Sequence, residues 1–340
     1  MIFVLQYIGC PLRLTMRRLF APCLFHDRII ERSHENSASI QGAKGAGNIR
    51  MKYEGMIIRP PSEAGSLLLQ ISVGCSHNRC TFCPTYKGER FRIKTFEEIE
   101  EDIIEASGYG PIEKIFLCDG DALILPMKKL VPILESINTH IRGVRRIGLY
   151  ANAKSVLRKT PEELAQLRDL GIGIAYLGME TGNDDILMAI DKGANSRQMV
   201  EAGRKIKDAG IMLSVTVLLG IGGKDRGEEH ARDTARVLTE IDPDYVGALT
   251  VMVVPGTPLH EERLSGRFEL PDQFGFLREL EIMIAESDFT DCLFTSNHAS
   301  NYLPIRAGMP QEKEETVRLI RQVIASSNKK VLRPEYMRGL

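Results

Sequence analysis

From residue 67 onward the chain alternates short apolar runs with amphipathic stretches. The runs at 67–73, 113–118, 146–150, 173–178, 212–219 and 245–251 have strand length and predict six strands. Between them, 96–107, 127–140, 161–170, 196–209 and 227–241 carry apolar residues at helical spacing. Thr160-Pro161-Glu162-Glu163 supplies a capping residue and a first-turn proline, and Ala209-Gly210 supplies a helix stop. Six strands alternating with five helices predict parallel βα units. A doubly wound sheet satisfies that count, and so does a partial (β/α)6 TIM barrel.

The rhythm stops after residue 259. Residues 260–340 hold helical stretches at 272–286 and 310–326 and a polar run, Ser296-Asn297-His298-Ala299-Ser300-Asn301-Tyr302. They read as a mainly helical C-terminal extension packed on the 67–259 core as a lid or tail. Residues 51–66 lead into the first strand. Residues 1–50 show no periodicity and read as a disordered leader, or as an over-extended gene start with Met51 as the true initiator.

A hydrophobic content of 43% over 340 residues supports a sizeable core. The net charge of −1 gives no global basic field for a nucleic-acid backbone. With no Trp and 6% aromatics, a base-stacking platform is not indicated either. No run approaches the ~18 apolar residues of a membrane span. Gln6 interrupts the apolar start, which lacks a basic n-region, so no secretion signal is expected. Seven cysteines are unevenly spread: Cys75, Cys80 and Cys83 cluster, while Cys10, Cys23, Cys118 and Cys292 are scattered. That pattern fits a reducing cytoplasm and a metal site, with Cys118 and Cys292 as core thiols.

Three thiolates on one loop can hold three irons of a [4Fe–4S] cluster and leave the fourth iron open. They can equally ligate structural zinc, with His77 as a fourth ligand. The other chemistry-bearing residues recur just after predicted strand ends: Asp119-Gly120-Asp121, Glu180, Gly220 to Gly223, and Pro255-Gly256-Thr257. A barrel mouth would gather all of them onto one face, which favours the partial barrel.

The cysteine loop, with Phe82 before its last cysteine, resembles the radical S-adenosylmethionine (SAM) superfamily, and the match runs from about 67 to 259. Asp119-Gly120-Asp121-Ala122 stands where such proteins have a Gly-Gly-Glu-Pro-type turn. Four further segments resemble the Elp3/MiaB/HemN-like branch: Gly178-Met179-Glu180-Thr181, Asp191-Lys192-Gly193, Leu219-Gly220-Ile221-Gly222-Gly223 and Pro255-Gly256-Thr257-Pro258-Leu259. One departure stands out. Four residues, not three, separate Cys75 from Cys80, as in a subgroup that shares the Tyr86 to Arg92 continuation.

The resemblance implies a [4Fe–4S] cluster on Cys75, Cys80 and Cys83, whose open iron chelates SAM. Reductive cleavage of SAM would then give a 5′-deoxyadenosyl radical that abstracts hydrogen from a substrate. Phe82 is implied near adenine, Gly120 and Asp121 at the SAM ammonium, Glu180 and Thr216 at the ribose, and Lys192 at the SAM carboxylate. The glycine turn at 220–223 would pack on adenine. Asn297, His298, Asn301 and Tyr302 are the substrate-side candidates, or else a capped loop that closes the barrel edge. Lys87, Arg90, Arg92 and Lys94 read as a solvated loop, or as a dock for an anionic substrate or an electron donor such as flavodoxin or ferredoxin. The alternative function is a zinc- or iron–sulfur-binding module that is non-catalytic or transfers electrons.

Overall fold

The computed structural model describes residues 51–339. The expectation for residues 1–50, and with it Cys10 and Cys23, lies outside the described residues. In chain order the strands and α-helices are β1 (Leu67–Gln70), β2 (Ser72–Val73), β3 (Arg92–Ile93), α1 (Phe96–Ser107), β4 (Lys114–Cys118), α2 (Met127–His140) and β5 (Arg146–Ala151). Next come α3 (Ala153–Leu157), α4 (Pro161–Asp169), β6 (Ile172–Glu180), α5 (Asp184–Ala189), α6 (Ser196–Asp208) and β7 (Met212–Leu219). The chain finishes with α7 (Gly227–Ile241), β8 (Tyr245–Thr250), α8 (Pro258–Leu264), α9 (Gln273–Glu286), β9 (Cys292–Thr295), β10 (Arg306–Met309) and α10 (Lys313–Ser326).

The main sheet has the order β1-β4-β5-β6-β7-β8-β9-β10. All neighbours pair in parallel except β9 and β10, which are antiparallel. A doubly wound sheet reverses its strand order at a switch point. Here spatial order follows chain order throughout, so successive right-handed crossovers place their helices on one face. The sheet is therefore a partial barrel with edges at β1 and β10.

Helix starts are locally encoded. Thr95 with Glu98, Thr160 with Glu163, and Asn195 with Gln198 form reciprocal capping boxes at α1, α4 and α6. Helix-facing strand residues such as Ile115, Leu117, Leu149, Leu177, Val215 and Val217 join the large core beneath the helices. The alternate residues face inward, where Phe116, Cys118, Ile174 and Tyr176 form a second cluster. Phe116 meets Tyr150 and Tyr176 edge-on, with ring centroids 5.0 and 5.7 Å away. Cys118 and Cys292 are both buried.

The lead-in segment fills one end of this inner face. Glu63 is fully buried and accepts hydrogen bonds from Tyr176 Oη and Arg146 Nη2, each at 2.5 Å. Ser66 Oγ donates to its other oxygen at 2.5 Å. A buried carboxylate persists only when paired in this way. Arg146 opens β5 and Tyr176 stands at the middle of β6, so the carboxyl-terminal mouth is left for function.

Two features exceed the sequence reading. The expected strand 67–73 breaks at Ile71, and β2 pairs antiparallel with β3 through Ser72–Ile93 and Val73–Arg92. That short ladder clasps the base of the cysteine loop. The extension adds strands as well as helices: β9 covers the edge that β8 would otherwise expose, and β10 follows it.

Candidate cofactor site at the barrel mouth

The cysteine loop leaves the ladder at Gly74, whose φ of +81° needs glycine. Cys75, Cys80 and Cys83 are half-buried free thiols. Burial pushes the Cys80 thiol up to about 11. A metal ion held there would displace that proton, because its charge favours the thiolate.

The four-residue spacer is pinned on both sides. His77 Nε2 lies 2.6 Å from Asp191 O, and Asn78 Nδ2 donates to Tyr86 O at 2.7 Å. Asn78 takes a left-handed φ of +42°, a conformation Asn adopts more readily than most residues. His77 packs so tightly on Gly193 that a Cβ there would lie 2.4 Å from its Cε1. Burial, with the Lys154 and Arg79 charges, holds His77 below its ordinary value. Further on, Thr81 N donates to Ile190 O at 3.0 Å, and Leu259 N donates to Thr81 O at 3.0 Å. The loop is thus tied to segments that follow β6 and β8. Phe82 is half-buried against the main core.

Gly120 follows β4 and donates its N–H to Gly74 O at 3.1 Å. A Cβ on Gly120 would sit 2.7 Å from Cys75 Cβ and 2.9 Å from its Sγ, so only glycine fits. Next to it, Asp121 is fully buried. Its Oδ2 accepts from Ser76 Oγ at 2.7 Å and Ser155 Oγ at 2.6 Å, while Oδ1 has no partner. Burial raises its pKa. Its neighbour Asp119, which the sequence reading did not assign a role, is also buried, with φ +72°. Burial drives Asp119 up to about 7, against hydrogen bonds from Gln70 and Tyr86.

Glu180 sits just beyond a β-bulge. Gly178 pairs with Thr216, but Glu180 pairs with the very next residue, Val217. With a φ of +67°, Glu180 turns its carboxylate back over Gly178 and meets Lys192 Nζ at 2.7 Å. Burial works against the Lys192 ammonium, but the Glu180 charge and the nearby Cys80 and Cys75 outweigh it and raise its pKa. Thr216 is half-buried beside this pair. The structure therefore brings Glu180, Lys192 and Thr216 together, close to Cys80 and Cys75.

The extension residues lie at the β8 edge. Asn301 Nδ2 donates to Ala248 O and its Oδ1 accepts from Thr250 Oγ1, both at 2.8 Å. Tyr302 is buried, stacked near Phe276 and beneath Arg338, with its hydroxyl bonded to Glu335. Those two side chains are engaged in closing the edge. Asn297 is exposed, and His298 is half-buried with Nδ1 on Ser300 Oγ at 2.9 Å. The basic run does not form one patch. Lys94 is buried against Asp102, Arg92 is held by Glu54 and Glu98, and only Lys87 and Arg90 remain exposed.

One network was not legible from sequence. His230, fully buried on α7, accepts from Thr181 Oγ1 at 2.7 Å and donates from Nε2 to Leu218 O at 3.1 Å. Glu279 on α9 accepts from Gly220 N at 2.5 Å. These two side chains lock the ends of β6 and β7, which carry Glu180 and the glycine turn. Nothing in a helical heptad marks such a residue as buried and polar.

Residues 69–238, half of the 340-residue chain, match the Radical SAM superfamily. The chain belongs to the radical SAM superfamily. Enzymes of this superfamily use a [4Fe–4S] cluster and SAM, and these are the cofactors of this chain. It is similar to the tRNA-2-methylthio-N(6)-dimethylallyladenosine synthase of Dehalococcoides mccartyi, with 28% identity over 200 residues, 57% of this chain and 47% of that protein. The heme chaperone HemW of Bacillus subtilis is 20% identical over 198 residues, 58% of this chain and 52% of that protein. The chain thus spans about half the length of the curated relatives it matches. Among solved structures, coproporphyrinogen III oxidase of Escherichia coli aligns with a TM-score of 0.49 at 13% identity, covering 65% of this chain and 51% of that one. Methylornithine synthase aligns with a TM-score of 0.48 at 20% identity, covering 66% and 63%.

The residues present fit these cofactors. Three thiols share one loop, Gly120 lets the β4 end close on Cys75, and Asp121 Oδ1 is a buried acceptor without a donor. Among the described residues, no three His, Cys, Asp or Glu side chains are grouped as a site for a single ion. Cluster thiolates each bind a separate iron and need no common point. No helix among the described residues is long and apolar enough to cross a membrane.

Proposed function

We propose that the protein is a radical SAM enzyme in which Cys75, Cys80 and Cys83 hold the [4Fe–4S] cluster. When bound, the reduced cluster and SAM supply a 5′-deoxyadenosyl radical for hydrogen abstraction from the substrate. The chain's own residues position the cofactor. Asp121 Oδ1 and the peptide at Gly120 receive the SAM ammonium beside Cys75. Lys192 neutralises the SAM carboxylate, while Glu180 and Thr216 accept from the ribose hydroxyls. Phe82 and the glycine turn at 220–223 enclose the adenine and exclude water. The observation that carries this reading is the junction of the free thiol Cys75 with Gly120, one residue before Asp121, whose Oδ1 is buried and unpartnered. The free thiols fit a cytoplasmic setting. A low-potential donor of the flavodoxin or ferredoxin type would supply the electron.

Anaerobic reconstitution tests the assignment. The full chain should take up about four irons and four sulfides. Its reduced-cluster paramagnetic resonance spectrum should change on adding SAM, with 5′-deoxyadenosine as product. Replacing any of the three cysteines by Ala should remove both signals, whereas Cys118→Ala should keep them. Stoichiometric zinc without iron would overturn the reading.

A further inference from the structure

The spacer of the cysteine loop does more than bridge two cysteines. With His77 and Asn78 pinned, Ser76 and Arg79 line a groove of about 380 Å³, opposite Asn152, Lys154 and Arg158 at the end of β5. Its size falls in the ~300–1,000 Å³ range of small-molecule pockets. The charge of the lining is lopsided. Lys154 Nζ and the Arg158 guanidinium have no hydrogen-bond or ion-pair partner among the described residues, and neither does Asn152 Nδ2. Arg79 Nε forms an ion pair with Asp191 at 3.5 Å. The carboxylates facing this wall are Asp191, already paired, and Asp121, whose Oδ2 is covered by Ser76 and Ser155. Three cations and a free amide donor therefore converge on a concavity that carries no matching anion.

We propose that this groove binds the phosphate or carboxylate group of a small-molecule substrate, separately from SAM. Guanidinium, ammonium and amide donors together suit oxyanions. A concave wall suits a compact anion better than the broad acidic face of a protein. The groove lies beside the cysteine loop at the ends of β4 and β5; its Lys154 Nζ packs near Gly193, the residue after Lys192, and its Ser76 and Ser155 hydroxyls are turned onto Asp121. An anion held there is one residue from Cys75, so the rest of its molecule can reach the barrel mouth. Only the word substrate rests on the function proposed above; the anion site stands on the lining alone.

The test is calorimetric titration of inorganic phosphate, and separately succinate, into the full chain. It is run without cluster, with the reconstituted cluster, and with cluster plus saturating SAM. Saturable binding of either probe in all three states is expected. The double variant Lys154→Ala/Arg158→Ala should weaken it at least tenfold, with Arg158→Lys largely restoring affinity to the single Arg158→Ala variant. Lys224→Ala, in a different groove, should leave binding unchanged. Both target residues are partly or fully exposed, and matching melting curves would show the variants folded. Displacement by SAM would overturn the proposal, because the site would then be the cofactor's. So would unchanged binding in the double variant, absence of binding, or capture of a short RNA without either small anion. Failed iron loading with phosphate binding intact would count against the cluster ligands and support the anion site.

Discussion

Glu279 is 2% exposed, and its carboxylate holds the Gly220 N–H at 2.5 Å while its Oε1 has no partner. Burial pushes its pKa from 4.5 up to about 8. The unfolded carboxyl ionises near its ordinary value, whereas the folded one keeps its proton until about pH 8. Folding therefore takes up a proton in that window, and stability falls as pH rises through it before levelling above about 8. At ~1.4 kcal/mol per pH decade, the whole window is worth at most about 5 kcal/mol. His230, lowered to about 4 by burial, affects stability only below its ordinary 6.5. The clean comparison thus runs from pH 6.5 to 9. Glu279→Gln retains an acceptor for Gly220 and cannot ionise. Asp119, which titrates near 7, contributes the same slope to both proteins and cancels. Wild type should lose about 2 kcal/mol relative to Glu279→Gln between pH 6.5 and 9. Urea midpoints of the cofactor-free chain, measured at half-unit pH steps, read the difference. Parallel curves for the two proteins would refute the claim that Glu279 is held protonated.

Other consequences are more local. Gly120→Ala places a methyl 2.7 Å from Cys75 Cβ and should displace the loop by about 1 Å, given ordinary carbon contacts of ~3.5–4.0 Å. Iron uptake should fall severalfold while the melting temperature changes by only a few degrees; full iron loading would contradict the geometry. Lys192→Met removes the partner of the buried Glu180 and the proposed SAM carboxylate contact. A charge-assisted bond of ~1.5–3 kcal/mol predicts a rise of roughly ten- to a hundredfold in the SAM dissociation constant, readable by equilibrium dialysis. An unchanged constant would remove Lys192 from the site. Glu63→Ala strips Arg146 and Tyr176 of their shared buried acceptor and should cost about 3 kcal/mol or more, by denaturant midpoint. A loss below about 1 kcal/mol would show that the lead-in does not hold the end of the barrel.

The strand and helix pattern was legible because it is local. Apolar runs of strand length, the Thr160-Pro161 cap and the Gly210 stop are properties of a few neighbouring residues. The cysteine trio pointed to a metal site on spacing alone. Order in the sheet was not encoded locally: consecutive pairing excluded a doubly wound arrangement only once the ladders were seen. The same holds for the break at Ile71, the bulge that turns Glu180 toward Lys192, and the burial of Tyr302 and Asn301 against β8. Each depends on which distant backbone lies within hydrogen-bond reach. The four-residue spacer shows the division most plainly. Sequence marked it as an extra residue without a reason. Only the fold could pin His77 to Asp191 and Asn78 to Tyr86, and so face Arg79 toward Lys154 and Arg158, because these partners lie up to 114 positions apart in the chain.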